Sequence, residues 1–238
     1  KLITDDGTEY TTLSLAIASG SPEIVKALLD EASYRPDLLQ DMLALHRFIL
    51  AGNREVVAAL LDAVKAHSQK SLLLETMLTT TFTLEGKEYT LLYYATLYGR
   101  TEIVQSLLAA AQDDKPLLQK MLTTDVRPLF SALQSGRTEI VQSLLAAAKA
   151  HSPGLLKKML TTPLNYSGED RTPLEFAHHM NSVIPNNCDA AIIKVLTEAE
   201  AFVQRGFFGG GHAFFSNSTS SSASPPAEEW PHSSCVLS

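Results

Sequence analysis

Gly99-Arg100-Thr101-Glu102-Ile103-Val104-Gln105-Ser106-Leu107-Leu108-Ala109-Ala110-Ala111 recurs, residue for residue, as Gly136 to Ala148. A verbatim repeat decides the architecture before any local propensity does, because copies of one amphipathic unit must stack to bury their shared apolar stripe. Weaker copies keep the skeleton: Gly20 with Glu23-Ile24-Val25 and Leu28-Leu29, and Gly52 with Glu55-Val56-Val57 and Leu60-Leu61. These β-branched and Leu pairs, three to five residues apart, make one apolar helical face. Counting back from each Gly, Leu13, Leu45, Leu92 and Leu129 stand at one offset, and Ala16, Phe48, Ala95 and Ala132 at another. The spacing predicts two short antiparallel helices with Gly at the turn, where tolerance of positive φ ends the first helix.

The turn glycines are irregularly spaced, widest between Gly52 and Gly99, because a second repeated element fills the gaps. It reads Leu38-Leu39-Gln40-Asp41-Met42-Leu43, Leu72-Leu73-Leu74-Glu75-Thr76-Met77-Leu78, Leu117-Leu118-Gln119-Lys120-Met121-Leu122 and Leu155-Leu156-Lys157-Lys158-Met159-Leu160. Apolar residues at i, i+1, i+4 and i+5 predict a short third helix, started by Asp114 through Pro116 in one copy and by Ser152-Pro153 in another. A third element is the frame Gly, any residue, acid, any residue, Thr at Gly7–Thr11, Gly86–Thr90 and Gly168–Thr172, expected to form β-hairpin fingers. The second and fourth units have no room for a finger.

These residues resemble ankyrin repeats, whose pattern is a T-P-L-H-x-A-A first helix, a Gly turn and an E-I-V-x-x-L-L second helix. Thr172-Pro173-Leu174 matches best, with Thr as N-cap and Pro at the first helical position. His46 falls on the family's histidine position, where the other copies carry Ser14, Tyr93, Phe130 and Glu175. In the fifth copy Asn181 replaces the turn Gly and extra residues including Pro185-Asn186-Asn187 precede Ile192-Ile193, as in a degenerate terminal cap. The expected fold is an all-α solenoid of stacked ankyrin-type helix pairs with an added third helix and some fingers. About five units fill residues 1–203, a Phe/Gly-rich segment fills 204–215, and a disordered Ser/Pro-rich tail fills 216–238.

The resemblance implies a protein partner on the concave surface, touched by the fingers and by the exposed ends of the first helices. Carried over position by position, that names Tyr10, Tyr89 and Arg171 in the fingers, with Leu97, Tyr98, Gln134 and His179 on the helices. Tyr10 and Tyr89 have a second reading, in which each braces its own hairpin.

The end of the sequence is a different polymer. Phe207-Phe208-Gly209-Gly210-Gly211-His212-Ala213-Phe214-Phe215 either packs back on the last repeat or docks elsewhere, and no Lys-Ser/Thr follows its glycines as a phosphate loop would need. Beyond it the Ser-rich stretch to Pro225-Pro226 reads as a tether. Cys235-Val236-Leu237-Ser238 is a C-a-a-X pattern whose final Ser favours a farnesyl group on Cys235. A free, unmodified Cys235 is the other reading. One lipid chain holds a membrane weakly and the tail adds only Glu228 and Glu229, which an anionic leaflet repels, so either the phenylalanine cluster supplies a second contact or the protein cycles on and off membranes.

Twenty-six acidic against 19 basic residues give a net charge of −7, and no cationic cluster marks a nucleic-acid surface. No run of residues is long and apolar enough for a membrane-spanning helix. Two cysteines, Cys188 and Cys235, suit a reducing compartment. His178 and His179 point about 100° apart on a helix and make a poor metal pair even with Cys188 nearby. No paired-carboxylate, Ser-His-Asp or Cys-His pattern stands out, so no catalysis, cofactor, metal or small-molecule substrate is expected. The expected role is a non-catalytic interaction scaffold in the cytosol and on cytosolic membrane faces. The combination resembles effector proteins that intracellular bacteria place in host cells. The alternative is a substrate-recruiting arm of a larger enzyme or ubiquitin-ligase adaptor whose other domain precedes Lys1.

Overall fold

A computed structural model describes residues 2–3, 9–10, 24, 27, 54–66, 70–79, 81–84, 86–183 and 190–208. Most of these residues are helical. Strands β1 (Leu2–Ile3) and β2 (Glu9–Tyr10) form a minimal hairpin near the N-terminus. Next come α1 (Arg54–Ala66), α2 (Lys70–Thr79), the hairpin β3 (Phe82–Leu84) and β4 (Lys87–Tyr89), and then α3 (Leu91–Leu97), α4 (Thr101–Ala111) and α5 (Lys115–Thr124). Helices α6 (Arg127–Gln134), α7 (Thr138–His151) and α8 (Pro153–Thr161) precede the hairpin β5 (Leu164–Tyr166) and β6 (Glu169–Arg171), and α9 (Pro173–Val183) and α10 (Ala190–Phe208) follow.

Corresponding helices of successive units touch. Helix α3 packs on α6 and α6 on α9, α1 on α4, α4 on α7 and α7 on α10, and α2 on α5 and α5 on α8. The buried set is the predicted apolar frame: Val56, Val57, Leu60 and Leu61, then Ile103, Val104, Leu107 and Leu108, then Ile140, Val141, Leu144 and Leu145. Ala95, Ala132 and Ala177 are fully buried, which lets the first helices approach one another closely.

Local chemistry accounts for the helix ends. Gly99 and Gly136 sit at φ +63° and +65°, and the following Arg N–H groups reach back to the carbonyls of Ala95 and Ala132 at 2.9 Å. Asp114 and Ser152 cap the third helices, each accepting the N–H of the residue three on (Leu117 and Leu155, both 3.1 Å). At α9, Glu175 accepts both the backbone N–H and the hydroxyl of Thr172, which holds its carboxyl below the ordinary glutamate pKa. Glu175 thus closes a reciprocal capping box in the place where the ankyrin pattern has a histidine.

The fourth unit goes directly from α5 to α6 with no finger, as expected, and the finger at 164–171 turns through Ser167 and Gly168, both at positive φ. Two boundaries differ from expectation. Asn181 lies inside α9, which runs on to Val183, so it does not act as a turn residue. Helix α10 runs through Phe208, past the boundary drawn at residue 203, and packs on the core through Ala199, Phe202 and Val203. Pro185–Asn187, His46, the third-helix copy at 38–43 and everything after residue 208 lie outside the described residues.

Candidate functional site

The two well-described fingers are seated by the same device. Tyr94 on α3 receives the edges of Phe82 and Tyr89 at ring-centroid distances of 5.2 and 5.5 Å, and Phe176 on α9 receives the edge of Tyr166 at 5.1 Å. Both socket residues hold the same place in the first helix. In the fingerless fourth unit that place is Ser131, which is buried. In these three units an aromatic socket accompanies a finger and a small residue its absence, whereas the aligned sequence positions of the first two units are Leu15 and Arg47.

The unit without a finger serves its neighbour's. Arg127 at the start of α6 pairs with Asp125 through Nε at 2.9 Å and Nη2 at 3.1 Å, donates Nη1 to the Glu88 carbonyl at 3.1 Å, and lies 4.7 Å over the Tyr93 ring. Thr90, the N-cap of α3, donates its hydroxyl to the same Asp125 carboxylate. With side-chain exposures of 19% and 8%, this Arg–Asp pair is far better shielded than the surface pair Lys120–Glu75. It clasps the 82–89 finger from the next unit. Sequence reasoning missed Asp125 and Arg127; the signal was present in Asp125-Val126-Arg127-Pro128, a charged pair at the one described first-helix start that has no finger before it.

Of the expected contact residues, Tyr89 is only 8% exposed and stacks on Phe82 and Tyr93, the placement that its second reading, a brace of its own hairpin, calls for. Arg171 also turns inward: it donates to the Tyr166 carbonyl at 3.0 Å and to Glu169 across its own hairpin. Leu97 and Gln134 occupy equivalent places at the ends of α3 and α6, and both are half-buried. His179, at the equivalent place in α9, is half-buried beside Tyr166. Tyr98 stands out at 42% exposure, its ring held 4.8 Å from Tyr94. Tyr10 pairs with Leu2 across the first hairpin, and its side chain, like Cys235, lies outside the described residues.

These placements leave an edge on which Leu97, Tyr98, Gln134 and His179 follow one another along the stacked first helices. A crevice of about 10 Å³ behind that layer, among Leu92, Leu122, Leu129, Leu144 and Met159, has room for about one water and not for a metabolite. Among the described residues no three His, Cys, Asp or Glu side chains gather as metal ligands, and no helix is long and apolar enough to cross a membrane. No protein-family profile, curated protein or solved structure matches the chain.

Proposed function

We propose that the chain is a non-catalytic protein-interaction scaffold, an ankyrin-type solenoid whose first-helix ends and fingers meet a protein partner. The observation that carries this reading is Tyr98: a large side chain, exposed, yet fixed against a buried tyrosine cluster in a finger-bearing unit. A rigid aromatic with few rotatable bonds buries much area at little entropic cost when a partner covers it. The clasp of Arg127 and Asp125 supports the same reading, because a preset finger loses less freedom on binding. Membrane delivery through a farnesyl group on Cys235 belongs to the proposal. Since C-a-a-X acts only at the end of a polypeptide, the mass of the C-terminal peptide from eukaryotic cells decides that part.

The binding face is tested by placing a photo-crosslinking phenylalanine analogue at Tyr98 and, as a control, at Gln142 on the exposed side of α7. One dominant protein adduct from position 98 and none from position 142 is expected. Equal adducts from both positions, or none from position 98, would overturn the assignment. Tyr98→Ala should then weaken capture of the crosslinked protein by at least about tenfold, or 1.4 kcal/mol, with thermal stability unchanged.

A further inference from the structure

We infer that the outer face of α5 and α8 docks on an anionic lipid surface. Although the chain has a net charge of −7, no Asp or Glu occurs between Glu139 and Glu169, a stretch that carries Lys149, His151, Lys157 and Lys158. Neither α5 nor α8 contains an acid. Helices α2, α5 and α8 lie side by side, so their exposed residues fall into rows. The first row is Leu72, Pro116 and Gly154, with Leu72 57% exposed. The second is Glu75, Gln119 and Lys157, and the third Thr76, Lys120 and Lys158. The last is Thr79, Thr123 and Thr161, whose hydroxyls bond back to their own helices. The first and last rows are uncharged and flank two rows that carry Lys120, Lys157 and Lys158 together with Glu75.

Acidic groups among the described residues flank this face on α2, before α5 and on α10. Glu75 is held by Lys120 at 2.8 Å. Asp114 accepts the Leu117 N–H and the Ser71 hydroxyl, and exposed Asp113 lies beside it next to Lys115. His151 joins the two helices, meeting the Lys115 carbonyl at 3.0 Å and the Ser152 hydroxyl at 3.1 Å. On α10, Glu198 faces Lys194, Glu200 is half-buried, and Arg205 is exposed. Lys149 lies 4.1 Å over the Phe202 ring, which pins α10 beside the end of α7, where the chain enters α8. Positive charge therefore collects on α8 and its border with α5, helices that themselves carry no acid.

Lysines are compact charges on flexible stems, suited to the diffuse charge of a leaflet and less to bidentate phosphate recognition, for which arginine is the better residue. Nucleic acid would demand a longer string of cations and would be repelled by the rest of this acidic chain. Each lysine near an anionic leaflet strengthens attachment several-fold. The inference rests on the membrane-delivery reading in one respect: a single lipid chain holds weakly, and this face is the second contact it requires.

The test uses the full chain made without prenylation, so that it stands apart from the fate of Cys235. Flotation would compare vesicles of phosphatidylcholine alone with vesicles containing about 30% phosphatidylserine. Preference for the anionic vesicles is expected at low salt, falling at least about tenfold towards 0.15 M salt. Lys157→Glu with Lys158→Glu should weaken it at least about tenfold, while Lys87→Glu on the distant 82–89 finger should not, and circular dichroism should be unchanged in both. Equal binding to neutral vesicles, no binding to anionic vesicles at low salt, or an unaffected double variant would overturn the inference. So would retention of a nucleic-acid duplex in preference to the vesicles. Absence of a farnesyl mass at Cys235 would instead remove the membrane-delivery reading and leave this result as measured.

Discussion

Helices α4 and α7 begin with the same eleven residues, Thr101–Ala111 and Thr138–Ala148, and end differently. Helix α4 stops at Ala111, whereas α7 continues through Lys149-Ala150-His151. After Ala111 come Gln112-Asp113-Asp114, whose carboxylates oppose the negative end of the helix dipole, and Asp114 turns away to cap α5. After Ala148 the helix gains two basic residues in its last turn and an alanine, which favour another turn before Ser152 caps α8. Identical cores with different ends show which part of the unit is structural constant and which part is free to vary. The apolar stripe is shared because both neighbours of each second helix need it. The ends differ because each meets a different connection.

The sharpest way to break this equivalence is to cut the same residue from both copies. Leu107 and Leu144 are equivalent and almost wholly buried, each between second helices of the neighbouring units. Replacing either by Ala should cost about 2–5 kcal/mol in urea unfolding, and the two losses should differ by less than either one. A large loss at one position with almost none at the other would mean that the copies do not share one continuous core.

The next effect concerns the units with and without fingers. Removing Arg127 as Arg127→Ala leaves the well-buried Asp125 carboxylate with only the Thr90 hydroxyl and the backbone N–H of residue 127, and frees the Glu88 carbonyl. The expected cost is about 1–3 kcal/mol. Backbone amide exchange in residues 82–89 should rise more than in the 164–171 finger, which has no such clasp among the described residues. Equal protection in both fingers would show that aromatic seating alone suffices.

Among the described residues, the helices, the turns at Gly99 and Gly136, the third helices from Lys70 on and the fingers at 82–89 and 164–171 were legible in the sequence, because each is specified by residues close together in the chain. Gly86, Gly168 and the acid-x-Thr frame mark turns through local backbone preference, and Asp114 and Ser152 mark caps through a reach of three residues. The clasp was not legible, since Thr90 to Asp125 and Glu88 to Arg127 are contacts across 35 and 39 residues, and depend on how one unit lies on the next. Tyr89 shows the same limit from the other side. Its residue type and finger position suit a partner contact, but its burial is decided by Phe82 and Tyr93, and only the assembled hairpin brings those rings together. Tyr98 escapes burial because it caps the helix one residue beyond Leu97, just before the turn.

The smallest expected effect sharpens the comparison most, because it separates two glycines with identical following sequence. Both Gly99 and Gly136 occupy the left-handed region, where an L residue costs about 1–2 kcal/mol, so either Gly→Ala change should destabilise. At Gly99 there is a second term. An added Cβ would overlap the Arg137 guanidinium, which lies across this turn from the next unit. At Gly136 the aligned residue of the following unit is Ser182, which has no guanidinium and whose hydroxyl bonds the His179 carbonyl. Gly99→Ala should therefore cost more than Gly136→Ala, by a few tenths of a kcal/mol up to about 1, the guanidinium being the mobile end of a long side chain. Adding Arg137→Ala should remove that surplus from Gly99→Ala and leave Gly136→Ala as it was, a coupling that a double-mutant cycle in urea unfolding measures directly. If the surplus survives the loss of Arg137, the difference between the turns lies in their backbones, and the close approach of the next unit has no part in it.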